Sequence, residues 1–142
     1  MFCKTNIILT VDCDDEVLEL LRTASETIDY VVLQAKSGEE ALGVLSRLKS
    51  HVDLAIIDMD LTVDDGAFMR VLATFARLKP ATKIIVKTSR HDVPFLEQVT
   101  YLGVDATVLK PITKEQLLKT VRATLMSKYR NGSGGTLAGT AA

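Results

Sequence analysis

Five short apolar runs recur along the chain: NIILTV at 6–11, YVVLQA at 30–35, LAIID at 54–58, KIIVKT at 83–88 and ATVLK at 106–110. They are rich in Val and Ile and too short for helices. Most do not alternate apolar with polar positions, so they read as strands covered on both faces, as in a parallel sheet. The segments between them carry a helical period instead. In 17–28, Val17, Leu18, Leu20, Leu21, Ala24 and Ile28 fall on one stripe. Ser37 with Glu40 is a capping box that opens a helix running to about Leu48. Thr113 with Gln116 is a second box, opening a helix that carries Leu117, Leu118, Val121 and Leu125. Helices near 66–78 and 94–101 complete five βα units. This order predicts an α/β protein, a single-domain, doubly wound, five-stranded parallel sheet with helices on both faces.

A length of 142 residues suits one domain. The domain is expected over 1–128, followed by a flexible Gly-rich tail or the start of a linker at 129–142. A net charge of -1 gives no electrostatic reason to expect nucleic acid or an anionic membrane as partner. No helix-turn-helix pattern or basic patch follows residue 128. No apolar run approaches the roughly 20 residues of a spanning helix. The start, MFCKTNIILTVDCDD, lacks the shape of a signal peptide, and Cys3 and Cys13 make no disulfide framework. The expected setting is the cytoplasm, with free thiols.

Ligands of an open parallel sheet bind outside the carboxyl ends of its strands. The first run ends in Asp12, Cys13, Asp14 and Asp15, the third in Asp58, the fourth in Thr88 and Ser89, the fifth in Lys110 and Pro111. Acids, a hydroxyl and a lysine are thus expected on one edge. Carboxylates hold a hard cation such as Mg²⁺ through oxygen. A hydroxyl and an ammonium take phosphoryl oxygens. Taken singly, each residue has a plainer role: Asp58 as a turn residue, Thr88 as a β-branched strand residue, Lys110 as a solvated strand end, Asp14 or Asp15 as a helix cap. His51 and His91 have no ligand-spaced partner and are expected at the surface. Tyr101 and the stripe of the last helix read as packing residues.

The constellation resembles the receiver domain of two-component response regulators over about residues 5–128. Gly66 lies eight residues after Asp58, Thr88 thirty and Lys110 fifty-two, as in that family. The resemblance implies a flavodoxin-like (βα)5 receiver fold and a signalling role rather than an enzyme's. It implies that Asp58 accepts a phosphoryl group from a histidine kinase or phosphotransfer protein. Thr88 and Lys110 would bind phosphoryl oxygens, Asp12 would help place Mg²⁺, and a cis peptide would precede Pro111. The surface over about 93–128 is the one such domains use for dimers and downstream target proteins.

The chain departs from that pattern in several places. Cys13 stands where the family has its second metal-binding acid, and a soft thiol suits Mg²⁺ poorly. Asp60 is the candidate replacement ligand, beside Asp12 and Asp58; alternatively it faces water, and Asp14 reaches in. Thr62 replaces a loop proline. Thr107, four residues after Gly103, stands where the family has a switching aromatic, so its readout is muted or built differently. Lys87 is unusual in a strand that should be buried; its stem is expected along apolar surface with the ammonium at the rim. Arg90 occupies a position that tunes phosphate lifetime in the family. Two rival readings remain. One is a phosphate-independent module that binds a protein through 93–128, to which Cys13 and Thr107 point. The other is a haloacid dehalogenase-like phosphatase, with Asp58 as nucleophile and Asp60 as general acid in Asp58-Met-Asp60-Leu-Thr62. Motif order and the lack of a cap region argue against the second. The survival of Asp12, Asp58, Thr88 and Lys110 together favours a phosphorylatable receiver over the first.

Overall fold

A computed structural model describes residues 5–23, 30–48, 51–61, 67–77, 82–89, 92–127 and 136–137. The five apolar runs are strands β1 (Asn6–Val11), β2 (Tyr30–Ala35), β3 (Leu54–Asp58), β4 (Lys83–Thr88) and β5 (Ala106–Leu109). Helices α1 (Glu16–Thr23), α2 (Gly38–Leu48), α3 (Ala67–Arg77), α4 (Val93–Tyr101) and α5 (Lys114–Met126) alternate with them. All the strand pairs are parallel, in the order β2-β1-β3-β4-β5. A two-residue strand β6 (Thr136–Leu137) adds to the β5 edge, from within the Gly-rich stretch. Positions 24–28 of the first predicted helix, Thr62, Gly66, Arg90 and His91 lie outside the described residues. Among the described residues, no helix is long and apolar enough to cross a membrane.

Alternation along the strands sorts the core into two layers. Leu9, Val11, Ala55, Ile57, Ile84 and Val86 pack under α2, α3 and α4. Ile8, Leu54, Ile56, Ile85 and Val108 pack under α1 and α5, against Val17, Leu21, Leu117 and Val121. Every residue of β3 and β4 is buried, which is why these runs carry no polar alternation.

At both predicted helix starts the N-cap hydroxyl bond forms. The Ser37 hydroxyl accepts from the Glu40 N–H at 3.1 Å, while the Glu40 carboxylate accepts from Lys36 N–H rather than from that of Ser37. Thr113 accepts from Gln116 N–H at 3.1 Å. Helix α4 ends in a Schellman turn: Gly103 N–H reaches Thr100 at 3.0 Å and Val104 N–H reaches Val99 at 3.3 Å. Gly103 has φ 95°, a region that strains residues with a Cβ. The turn seats Val99 and Val104 together in the core and delivers the chain to β5. Tyr101, expected as a packing residue, is instead 86% exposed on α4. The helical stripe turns its neighbours Leu96 and Val99 inward and leaves position 101 outside.

Candidate functional site

The chain leaves β1 for β2 on one side and returns through β3 on the other. That reversal opens a crevice at the carboxyl ends of β1 and β3. Asp12 follows β1 and Asp58 ends β3, so topology alone brings the two carboxylates to the same mouth. Oxygens of Asp12, Asp14 and Asp58 lie within 4.8 Å of one another. Asp14 is exposed, and its carboxylate also accepts the Glu16 N–H at 3.0 Å at the entry to α1. Its own N–H donates to Asp12 at 3.2 Å. Cys13 is exposed.

Lys110 follows β5, and its bond to Pro111 is cis, as the resemblance implied. Its ammonium donates to both Asp58 oxygens, at 3.2 and 3.1 Å, and to Asp60 at 3.0 Å. The Asp60 N–H donates to Asp58 Oδ1 at 2.9 Å. The Asp60 carboxylate does not join the cluster of three acids. It accepts from Lys110, from Ser89 N–H at 3.2 Å and Ser89 Oγ at 2.9 Å, and from Thr88 Oγ1 at 3.4 Å. The acid beside Asp12 and Asp58 is thus Asp14, where the sequence pointed first to Asp60. Thr107 is buried and in register with Val86.

Lys87 is the residue the sequence reading misplaced. Its ammonium is not at the rim. It is 3% exposed, bonded to the equally buried Asp12 and 3.6 Å from Asp58. A signal for this existed. In β4, Lys87 shares the parity of Ile85, the layer under α1 and α5. It also sits in register with Asp58. A lysine in a strand buried on both faces needs an acid, and the strand-end acids are adjacent.

Electrostatics divide the site. Burial pushes the Asp12 carboxyl above the usual carboxylate range, and the pull of Lys87 and of the Asp14 N–H only partly opposes it. For Asp60 burial also acts upward, but bonds from Lys110 and Ser89 outweigh it and hold the carboxyl below its ordinary value. Lys110 is raised: burial acts downward, and Asp60 and Asp58 overcome it.

An acidic mouth, a lysine on the central carboxylate and a hydroxyl at the end of β4 are parts of a phosphoryl-handling site. The sequence profile of the response regulator receiver domain matches residues 8–122. The chain belongs to this family.

Among its relatives, the transcriptional regulatory protein GlrR of Escherichia coli is 33% identical over 114 residues, covering 80% of this chain and 25% of GlrR. ResD of Bacillus subtilis is 29% identical over 118 residues, covering 83% of this chain and 47% of ResD. This chain therefore spans a quarter to about half the length of these relatives. A response regulator from Thermotoga maritima superposes with a TM-score of 0.73 at 23% identity, over 87% of this chain and all of that one. A receiver protein from Burkholderia phymatum gives 0.68 at 26% identity, over 88% and 98%. The chain is a phosphorelay receiver, a class that takes phosphate from histidine kinases and acts on downstream targets.

Proposed function

We propose that Asp58 is the phosphoacceptor of this receiver. The observation that carries the reading is the Lys110 ammonium resting on both Asp58 oxygens, with the carboxylate otherwise 5% exposed. An Asp58 oxygen attacks the phosphorus of a kinase phosphohistidine in line with the departing imidazole. The P–N bond breaks as the new P–O bond forms. Lys110 and the Thr88 hydroxyl take the phosphoryl oxygens. Asp60, bound to Lys110 and Ser89, holds the ammonium at the solvent side of Asp58. Three carboxylates supply hard oxygen donors, so Asp12, Asp14 and Asp58 are the residues that would hold Mg²⁺. When bound, the ion neutralises charge developing on the transferred group. Val93 and Tyr101 of α4 and Met126 of α5 are exposed apolar groups, which supports the 93–128 surface as the place where a downstream protein reads the phosphoryl state.

The test is intact mass after incubation with acetyl phosphate, with and without Mg²⁺, for the wild type and Asp58→Asn. The expected result is a gain of one phosphoryl group in the wild type and none in Asp58→Asn. Gain in both proteins would move the acceptor elsewhere. No gain in either, at high Mg²⁺, would replace this reading by phosphate-independent binding of a partner.

A further inference from the structure

Asp12 and Asp58 face two ammonium groups, Lys87 from β4 and Lys110 from β5. Each of these two carboxylates therefore already has a cationic partner without any added ion. Compared with a receiver that has an acid at position 13 and an uncharged residue at 87, this pocket has lost a negative charge and gained a positive one. Both changes act in the same direction, against a divalent cation. Lys87 donates to one Asp12 oxygen while the other accepts the Asp14 N–H. Both Asp12 oxygens thus have donors already.

We propose that Lys87 is an internal counter-cation that competes with the divalent ion for Asp12 and Asp58, so that this receiver rests in a metal-free form. The inference rests on the reading of Asp12, Asp14 and Asp58 as the ion's ligands. An entering ion has to replace the Lys87 ammonium at Asp12 and then coexist with it close by. Lys87 is held by the fully buried strand β4, and its 3% exposure leaves it no solvated position close at hand. Affinity for the ion is consequently set by a lysine that belongs neither to the phosphoryl-binding pair nor to the ligand set.

The measurement is calorimetric titration of Mg²⁺ into the wild type, Lys87→Met, Lys87→Gln and a control, Lys119→Gln on the exposed side of α5, at constant ionic strength. Folding of each is checked first by circular dichroism, and the Gln variant serves if Met at 87 does not fold. Both position-87 variants are expected to bind Mg²⁺ about tenfold more tightly or better than the wild type, from removal of one unit charge next to a doubly charged ion. The control is expected to match the wild type. Equal affinities at position 87, or an equal gain in the control, would overturn the proposal. Because the titration reads binding alone, it stands apart from the acetyl phosphate experiment. Phosphorylation can fail while Lys87 still governs the ion, and the reverse is equally visible.

Discussion

The Asp12–Lys87 pair offers the sharpest test of what the pocket costs the fold. Both side chains are 3% exposed, and Lys87 also lies 3.6 Å from Asp58. Breaking a buried pair by removing one partner typically costs about 3–5 kcal/mol, because the remaining charge loses its compensation. Lys87→Met belongs in that range in metal-free buffer: Asp12 keeps only the Asp14 N–H and faces Asp58. Asp12→Asn should cost less, roughly 2–3 kcal/mol, since Lys87 retains Asp58. The double variant leaves neither charge at these positions and should lie within about 1 kcal/mol of the wild type, giving a coupling of several kcal/mol. Domains hold roughly 5–15 kcal/mol in all, so the single variants should be evident in urea melts at unchanged m-value. The Lys87→Met loss also has a definite pH dependence. The Asp12 carboxyl is raised in the fold, so its ionised form is the disfavoured one. Lys87 is one of the groups that pull the Asp12 pKa down, so the loss is full where Asp12 is ionised in both folded proteins and fades as pH falls and Asp12 is protonated in both. Adding Mg²⁺ should restore Lys87→Met, by about 2.7 kcal/mol at a hundredfold excess over its Kd. Additive single losses, with no recovery in the double variant, would refute the claim that these groups compensate each other.

Three further outcomes follow from local geometry. Asp60→Asn should remove about 0.5–1 kcal/mol at neutral pH, a modest value because the Asp60 and Lys110 side chains are 31% and 30% exposed. Its depressed carboxyl means that the wild-type contribution is present above the unfolded pKa and vanishes as pH falls through the folded one, so wild-type and variant denaturation curves should converge in acid. Thr113→Ala should cost about 1 kcal/mol by loss of the bond to Gln116 N–H, read in thermal melts. Gly43→Ala should stabilise the fold by about 0.5–1 kcal/mol, since the position is inside α2 and an added Cβ meets nothing within 4 Å; a lower melting temperature would contradict this.

The sheet was legible because its signals are local and agree with one another. Unalternating Val and Ile runs marked the strands, and Ser37 and Thr113 marked two helix starts through bonds that the structure contains. The strand ends of an open sheet then placed Asp12, Asp58, Thr88 and Lys110 on one edge before any coordinates were known. What could not be read was which carboxylate each cation would choose. Asp60 turns to Lys110 and Ser89 rather than to Asp12, a choice made by partners 50 and 29 residues away along the chain. Lys87 was misplaced for a different reason. Long lysine stems commonly carry the charge to water, and only the register with Asp58 and the shared layer with Ile85 point it inward. Tyr101 shows the limit from the other side, because an aromatic at the end of a short helix has no periodic neighbour to fix its face.

The arrangement also bears on how such a pocket could report its state without an aromatic at 107. Asp58 is shared by two cations of different exposure: buried Lys87 within, and half-exposed Lys110 at the rim. Asp60 is the second ligand of Lys110 and at the same time the acceptor for both the N–H and the hydroxyl of Ser89. A dianionic group on Asp58 draws on the same Lys110 ammonium and the same Thr88 hydroxyl that now serve Asp60. Strengthening those bonds draws Lys110 and Thr88 away from Asp60, which keeps the N–H and hydroxyl of Ser89. On the proposal that Asp58 takes the phosphoryl group, the response starts at Lys110, Thr88 and Asp60, by redistribution of hydrogen bonds rather than by rotation of a ring. Its size is bounded by the difference between the phosphoryl group's interactions in the two arrangements. Lys87, on the fully buried strand β4 and bonded to Asp12, makes none of the bonds that Lys110 and Thr88 exchange.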